Sequence, residues 1–205
     1  LRPNGNAGLL ISTVRGFEDY QRESAWVWEH QALTRARYAA GDSRIGRRFE
    51  DIRREVLAMP RDRDKLAAEI VSMRRKMHEG HPNRSALFDL KHDAGGMVDI
   101  EFMVQYLVLG FGALFEDLLD NRGNIELLRR AASAGLIDHD DAQVVANAYR
   151  TYRRRQHALR LDDDAYARVD PASVAEETGR VRKLWASLFG DAGRASPPPP
   201  RRRIS

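Results

Sequence analysis

The chain has 205 residues, of which 42% are hydrophobic and 31% are charged, a balance that is typical of a globular protein. Its net charge is +4, and four arginines near the C-terminus supply an equal positive charge: Arg194, Arg201, Arg202 and Arg203. The rest of the chain is therefore near neutral, which argues against a nucleic-acid-binding face. The absence of cysteine excludes disulfides and thiolate zinc sites, and it suits a cytoplasmic protein.

No apolar run approaches the roughly 20 residues that a membrane-spanning helix needs. Nothing before Gly16 resembles a signal peptide, and the first residue is Leu1 rather than Met. We therefore expect a cytoplasmic chain that begins inside a longer protein and has neither a membrane nor nucleic acid as a partner.

The first elements are a loop and a long helix. Proline, glycine and asparagine mark residues 1–8 as a loop, and the apolar residues 9–13 read as a strand end or buried link. Helical periodicity over residues 17–40 predicts one helix, ended by Gly41-Asp42. Trp26 and Trp28 lie on different faces of it, so at least one should pack against another element.

Arg35 and Arg37 fall near the end of this predicted helix. One interpretation is a favourable interaction with the negative end of the helix dipole. The other interpretation is anion binding. The residues themselves leave both open.

Two further helices are predicted over residues 49–58 and 64–78. The second has an apolar stripe, and its opposite face carries Arg74, Arg75 and Lys76, which we interpret as solvated charges. His78, His81 and His92 are too irregularly spaced to predict a zinc site, so no metal site is expected here.

The stretch from residue 88 to 109 combines charge, glycine and a long apolar run. Alternation around Phe88 predicts a short extended segment, and Gly95-Gly96 predicts a sharp turn, because glycine has no Cβ to restrict φ. Spacings of three and four residues then predict a helix, with Asp99 and Glu101 near its start.

Two interpretations of this stretch remain open. In the structural one, Asp99 caps or salt-bridges the start of the helix and Lys91 is a solvated surface charge. In the functional one, Lys91 and free N–H groups at the helix start hold an anion such as phosphate, while Asp93, Asp99 and Glu101 orient groups or bind metal.

The remaining pattern is also helical. The central helix continues, after Gly110 and Gly112, towards residue 119; Asn124 caps a helix to residue 133, Asp138 caps one to residue 161, and Asp170-Pro171 starts the last. Residues 196–205 should be disordered. The sequence predicts an all-α fold, a helical bundle of seven or eight helices preceded by a short strand or loop remnant.

An arginine cluster lies on the predicted helix that ends at residue 161: Arg150, Arg153, Arg154 and Arg155. It is the best internal candidate for binding phosphate or RNA. Because Asp162, Asp163 and Asp164 follow at once, we favour surface ion pairing.

Several segments together resemble one family, the bacterial glutamine synthetase adenylyltransferases. The matching segments are Leu-Arg-Pro-Asn-Gly-Asn-Ala-Gly-Leu-Leu at 1–10, Asp-Tyr-Gln-Arg-Glu at 19–23, Ala-Trp-Val-Trp-Glu-His-Gln-Ala-Leu-Thr-Arg-Ala-Arg at 25–37, and Phe-Asp-Leu-Lys with Gly-Gly-Met-Val-Asp-Ile-Glu-Phe and Gln-Tyr-Leu between 88 and 107. The resemblance covers most of residues 1–110 and fits the later residues more loosely.

The resemblance implies a nucleotidyltransferase that uses ATP and Mg²⁺ to attach AMP to a tyrosine of glutamine synthetase. The motif at 26–33 and the proline-arginine tail are similar to the C-terminal, adenylylating unit. By this likeness residues 1–16 are the end of the nucleotidyltransferase domain, residues 17–190 a helical domain shared with the uridylyltransferases of the PII signal protein, and residues 191–205 a disordered tail. Glutamine synthetase and PII are the implied partners.

The resemblance also implies which site residues the chain has. In the family, three metal-binding aspartates precede the Leu-Arg-Pro motif, so no catalytic residue is expected in this chain and it should be inactive alone. The candidates for binding nucleotide or phosphate are Arg2, Gly5, Gly8, Arg35, Arg37 and Lys91. The candidates for facing the active site are Asp93, Asp99 and Glu101. The alternative function is a non-catalytic helical module that docks glutamine synthetase or PII.

Overall fold

The computed structural model describes residues 11–161 and 166–190. Within these ranges the chain forms eight α-helices: α1 Val14–Glu23, α2 Val27–Leu33, α3 Ser43–Leu57, α4 Arg63–Gly80, α5 Met97–Phe111, α6 Asn124–Ser133, α7 His139–Leu161 and α8 Ala175–Phe189. Two short strands, β1 Phe88–Asp89 and β2 Arg168–Val169, pair antiparallel with Phe88 opposite Val169. The predicted all-α class is confirmed, and no described helix is both long and apolar enough to cross a membrane.

The contacts divide the chain into two compact units. Of the described residues, the first unit comprises residues 11–61 and 104–146, and the second comprises residues 62–103, 147–161 and 166–190. The chain passes between the units within α5 and α7 and just before α4. The predicted division into residues 1–16, 17–190 and 191–205 stays a prediction.

In the first unit, the prediction of a single helix over residues 17–40 is wrong, because two helices form there. Helix α1 ends at Glu23, and α2 begins at Val27 after Trp26 adopts an extended conformation. The buried carboxylate of Glu29 accepts the N–H of Trp26 at 3.0 Å and so satisfies a free donor at the new helix start. Trp26 and Trp28 are about half exposed and belong to no buried core.

Helix α2 ends at Leu33 because a buried arginine from α3 donates hydrogen bonds to the carbonyl oxygens at its end. Arg53 donates to the carbonyl oxygens of Leu33 at 3.2 Å, Thr34 at 2.8 Å and Leu119 at 2.8 Å. The guanidinium thereby holds three segments together, since an unpaired buried charge would be costly. Arg35 and Arg37 therefore follow the helix instead of lying within its last turn.

Other helix boundaries also differ from those predicted from sequence. Helix α3 begins at Ser43, earlier than predicted, because the Asp42 carboxylate accepts the N–H of Arg44 and caps it. Asp42 thus starts a helix instead of ending one. Helix α5 stops at Phe111, and residues 116–119 form a 3₁₀ turn instead of a continuation. Asn124 is the first residue of α6, whose N-cap is Gly123.

Two caps predicted from sequence are present. In the first unit, Asp138 accepts the N–H groups of Asp140 at 2.8 Å and Asp141 at 3.1 Å. The other cap lies in the second unit. Asp170 accepts the N–H of Ala172 at 3.0 Å, and Pro171 opens a 3₁₀ turn that leads directly into α8. Directly after β1, the buried Leu90 begins the loop that leads to α5. Helix α7 reaches Leu161 as predicted, and its Tyr152 packs near Phe88 with ring centroids 6.3 Å apart.

Candidate functional site

The loop from β1 to α5, residues 90–96, is shaped by two carboxylates that precede or lie in it. Buried Asp89 accepts the backbone N–H groups of Lys91 and His92, both at 2.9 Å. Asp93 accepts the N–H of Asp89 at 2.8 Å and the side-chain amide of Asn83 at 2.7 Å. Charge-assisted bonds of this kind are stronger than neutral ones, so the backbone at Lys91 is held in one conformation.

The two glycines of the loop are required by close contacts. Gly95 has φ +90°, a left-handed conformation that favours glycine, and a Cβ there would meet the carbonyl oxygen of Thr178 at 2.9 Å. A Cβ on Gly96 would lie 2.9 Å from the carbonyl oxygens of both Leu90 and Asp93. The turn predicted at Gly95-Gly96 is confirmed, and its neighbours leave no room for a side chain.

A buried ion pair between Arg74 of α4 and Asp99 of α5 underlies the loop. Each side chain is only 7% exposed, and the Nε of Arg74 donates to Oδ1 of Asp99. Oδ2 of Asp99 accepts the N–H of Gly95 at 2.6 Å. Arg74 also donates through Nη2 to the carbonyl oxygen of His92 at 2.8 Å. The pair thus connects α4, α5 and the loop between β1 and α5.

This geometry corrects the prediction for Arg74. Arg75 and Lys76 are exposed as expected, but Arg74 is buried and does not belong to the solvated face. The helical pattern alone did not distinguish these three cations. The signal that was available is the need of a buried Asp99 for a cationic partner.

The other candidates of this stretch differ in exposure. The ammonium group of Lys91 is exposed, and no ion pair joins it to a residue of the described ranges. Glu101 is half-buried and accepts the Tyr149 hydroxyl at 2.9 Å. Asp93 and Asp99 already accept protein donors, which agrees with the structural interpretation of their charges. The active-site roles of these four residues stay predictions.

Histidines lie beside the loop. The rings of His81 and His92 stack with centroids 4.2 Å apart, and Nδ1 of His78 lies 3.3 Å from the carbonyl oxygen of His92. Burial, followed by the nearby His81, lowers the pKa of His92, so its ring is kept neutral near pH 7. Within the described residues, no three His, Cys, Asp or Glu side chains converge as a metal site.

The remaining candidates lie in the first unit. Arg35 and Arg37 are exposed in the segment after α2, and Arg37 lines an open cavity of about 430 Å³ together with Tyr38, Ile45 and Phe49. Arg2, Gly5 and Gly8 lie outside the described residues. Their predicted nucleotide-binding roles stay predictions.

Sequence reasoning missed a buried polar network in the first unit, formed by the motif residues of α1 and α2. The Tyr20 hydroxyl donates to both carboxylate oxygens of Glu29, at 2.8 and 2.9 Å. The ring of His30 contacts the carbonyl oxygen of Gln21 at 2.9 Å, and Gln31 donates to Gln105 at 2.8 Å. Polar residues on a short helix between apolar ones were the available signal, because buried polar groups need partners.

The contacts of His30 determine its protonation. Arg61 can only donate, so its Nη2, 3.3 Å from Nδ1 of His30, requires that nitrogen to accept. The Nε2–H then donates to Gln21, and the imidazole is neutral. Burial is the main cause that lowers the pKa of His30, and burial also lowers the pKa of Arg61 to about 10.

Two family models match different parts of the chain. Residues 1–52 match the model "Glutamate-ammonia ligase adenylyltransferase", and residues 65–169 match "GlnD PII-uridylyltransferase". The buried network of residues 20–31 lies in the first match, and the loop with Lys91 lies in the second.

Curated relatives are similar over nearly the whole chain. A protein of Burkholderia mallei is 57% identical over 196 residues, which are 93% of this chain and 21% of that protein. Relatives from Bordetella bronchiseptica and Nitrosomonas europaea are 56% and 46% identical over 93% of the chain, which covers 20% and 22% of them. All three are named "Bifunctional glutamine synthetase adenylyltransferase/adenylyl-removing enzyme". The chain spans about a fifth of the length of these relatives.

The Arg74–Asp99 pair can be tested by neutral substitution at adjacent positions of α4. Arg74→Met should lower the free energy of unfolding by about 3–5 kcal/mol, because the carboxylate of Asp99 is left buried and unpaired. The exposed neighbour Arg75 provides the control, and Arg75→Met should stay within about 0.5 kcal/mol. Urea unfolding of both variants measures the difference, and equal effects would contradict the assigned role.

The neutral state of His30 predicts how stability depends on pH. Its pKa is lower in the folded than in the unfolded chain, so the unfolded chain binds more protons between the folded pKa and about 6.5. The free energy of unfolding should therefore fall as the pH drops below about 6.5 and stay level above it. His30→Gln should reduce this slope by up to ~1.4 kcal/mol per pH unit.

The control for this slope is the exposed His157, for which His157→Gln should keep the wild-type dependence. Denaturant unfolding at several pH values between 5 and 8 measures it. A His30→Gln slope equal to that of the wild type would show that His30 is not held neutral.

Proposed function

Because the chain belongs to the bacterial glutamine synthetase adenylyltransferase family, we propose that it forms the helical part of an enzyme that transfers AMP from ATP to a tyrosine of glutamine synthetase. The observation that carries the proposal is the 57% identity to a glutamine synthetase adenylyltransferase over 93% of the chain. The parent enzyme would regulate nitrogen assimilation in the cytoplasm.

The proposal assigns the chain to the C-terminal, adenylylating unit, as the motif at residues 26–33 suggests. The three metal-binding aspartates that the resemblance implies would precede Leu1. The described residues do not offer a group of three metal ligands, and Asp99 has both carboxylate oxygens engaged by Arg74 and Gly95. By the resemblance, Mg²⁺ and the activation of the tyrosine belong to those aspartates, and we propose that the chain alone is inactive.

Lys91 is the described residue best suited to binding a phosphate of the nucleotide. Lys91 is exposed, Asp89 accepts its backbone N–H, and Asp93 accepts the N–H of Asp89. No ion pair joins either carboxylate to the Lys91 ammonium. A fixed backbone leaves less conformational entropy to be lost when the side chain binds an anion. We propose that Asp93 and Asp99 act by shaping this loop, and that Glu101 supports the start of α5.

The other nucleotide-binding candidates are proposed on weaker structural support. Arg35 and Arg37 are exposed. Arg2, Gly5 and Gly8 are proposed from the resemblance alone. The match of residues 65–169 to the PII-uridylyltransferase model supports PII as a second protein partner.

AMP transfer from labelled ATP to glutamine synthetase, with Mg²⁺ present, tests the proposal. We expect transfer by this chain extended upstream through the implied aspartates and none by the chain itself. Transfer by the chain itself would mean that its own acids hold the metal. If neither form transfers AMP but both bind glutamine synthetase, the docking-module alternative takes its place.

The role of Lys91 is tested in the extended protein. Lys91→Ala should lower the kcat/KM for ATP by about tenfold or more, since a charge-assisted bond to phosphate contributes about 1.5–3 kcal/mol. The exposed Lys76 of α4 is the matched control, and Lys76→Ala should leave kcat/KM within twofold. Both variants should melt like the wild type, and unchanged transfer by Lys91→Ala would remove Lys91 from the site.

A further inference from the structure

One face of helix α7 carries a row of exposed basic side chains, which we call the α7 stripe: Arg150, Arg153, Arg154, His157 and Arg160. These positions recur at spacings of three and four residues, so their side chains share one face of the helix. The stripe extends over about 15 Å along the axis, from the rise per residue of a helix. It lies opposite the buried Ala148 and Tyr152.

The stripe has no acids of its own. Helix α7 carries five arginines between Ala142 and Leu161 and no Asp or Glu. Neighbours at i,i+3 and i,i+4 repel one another when their charges are alike, as Arg150 and Arg154 do. This arrangement costs stability in the isolated helix, and the packing of the fold does not require it.

Several arginines on other helices are paired with acids of the fold. Arg22 lies 3.1 Å from Glu18, Arg129 lies 2.6 Å from Glu126, and Arg130 lies 2.8 Å from Asp120. Within the described residues, Arg153, Arg154 and Arg160 have no ion pair or hydrogen bond. Arg150 donates to the neutral side chain of Asn147 at 2.5 Å, and no ion pair joins it to another described residue.

The aspartates at 162–164, which the sequence suggests as ion-pair partners, lie outside the described residues. Helical neighbours that could pair with Arg153 and Arg154 stand three and four positions away, and on the C-terminal side they are Gln156, His157 and Ala158. None of these is acidic. The ion-pairing interpretation stays a prediction.

We propose that the α7 stripe is a docking surface for the carboxylate-rich surface of a protein partner, which is the protein substrate of the proposed reaction. This inference rests on the proposed function for the identity of the partner. Complementary charge steers association and fixes orientation, and guanidinium groups suit carboxylates because they bind them bidentately. A nucleic-acid partner fits less well, because the stripe has no exposed aromatic side chain for base stacking.

The test is binding of this chain to glutamine synthetase at 50, 150 and 300 mM NaCl. The double variant Arg153→Glu/Arg154→Glu should weaken binding at least tenfold at 50 mM NaCl and flatten the salt dependence. The milder Arg153→Gln/Arg154→Gln should weaken it about threefold. Both pairs of side chains are exposed, so the variants should melt no lower than the wild type.

The control variant, Arg75→Glu/Lys76→Glu, reverses the charge of two exposed cations of α4. Its affinity for glutamine synthetase should stay within twofold of that of the wild type. Equal affinity of wild type and the α7 variants would overturn the inference. It would also be overturned if the chain bound single-stranded RNA more tightly than glutamine synthetase and lost that binding in the α7 variants.

The inference and the proposed function fail separately. If the upstream-extended protein does not transfer AMP but the stripe variants still lose glutamine synthetase binding, only the transferase proposal falls. If transfer occurs and Arg153→Glu/Arg154→Glu leaves the KM for glutamine synthetase unchanged, only the docking surface falls.

Discussion

The loop that presents Lys91 has its shape because the guanidinium of Arg74 and the carboxylate of Asp99 are buried together. Removing two charges from water is expensive, and hydrogen bonds to their remaining polar atoms offset part of that cost. Oδ2 of Asp99 also accepts the N–H of Gly95, and Nη2 of Arg74 also donates to the carbonyl oxygen of His92, while Nη1 of Arg74 has no hydrogen-bond partner among the described residues. The same bonds that satisfy the ion pair set the Gly95-Gly96 turn. A structural charge pair thus fixes the backbone from which Lys91, the cation proposed to bind phosphate, projects.

The first unit uses buried cations differently, as partners for backbone carbonyls. Arg53 closes the end of α2, while Arg61 donates to the carbonyl oxygens of Val56 and Met59 at 2.8 Å, near the end of α3. Carbonyl groups at helix ends lack an intrahelical donor, and a guanidinium supplies several donors at once. Their partial negative charges stabilise the cation without an acid. This arrangement leaves the carboxylate of Glu29 free to bind the Tyr20 hydroxyl.

Charges in the second unit separate into those that the fold uses and those that it leaves exposed. Asp89, Asp93, Asp99 and Arg74 are engaged by backbone groups or by one another. Lys91 and the α7 stripe remain in solvent without a carboxylate partner among the described residues. A fold gains nothing from clustering like charges on one helix face, so such a cluster points to something that lies outside the fold. The nucleotide proposal for Lys91 and the docking proposal for α7 both rest on this distinction.

The sequence by itself determined the all-α class, the caps at Asp138 and Asp170, the Gly95-Gly96 turn and the family. These depend on local rules: helical periodicity, capping chemistry, the freedom of glycine and the order of motif residues along the chain. Tertiary structure decided the rest. The end of α2 at Leu33, the burial of Arg74 beside exposed Arg75, and the neutral state of His30 depend on partners 9 to 31 positions away in the chain. Periodicity cannot identify those partners, because a cation on a helix looks the same in sequence whether a buried carboxylate or water faces it.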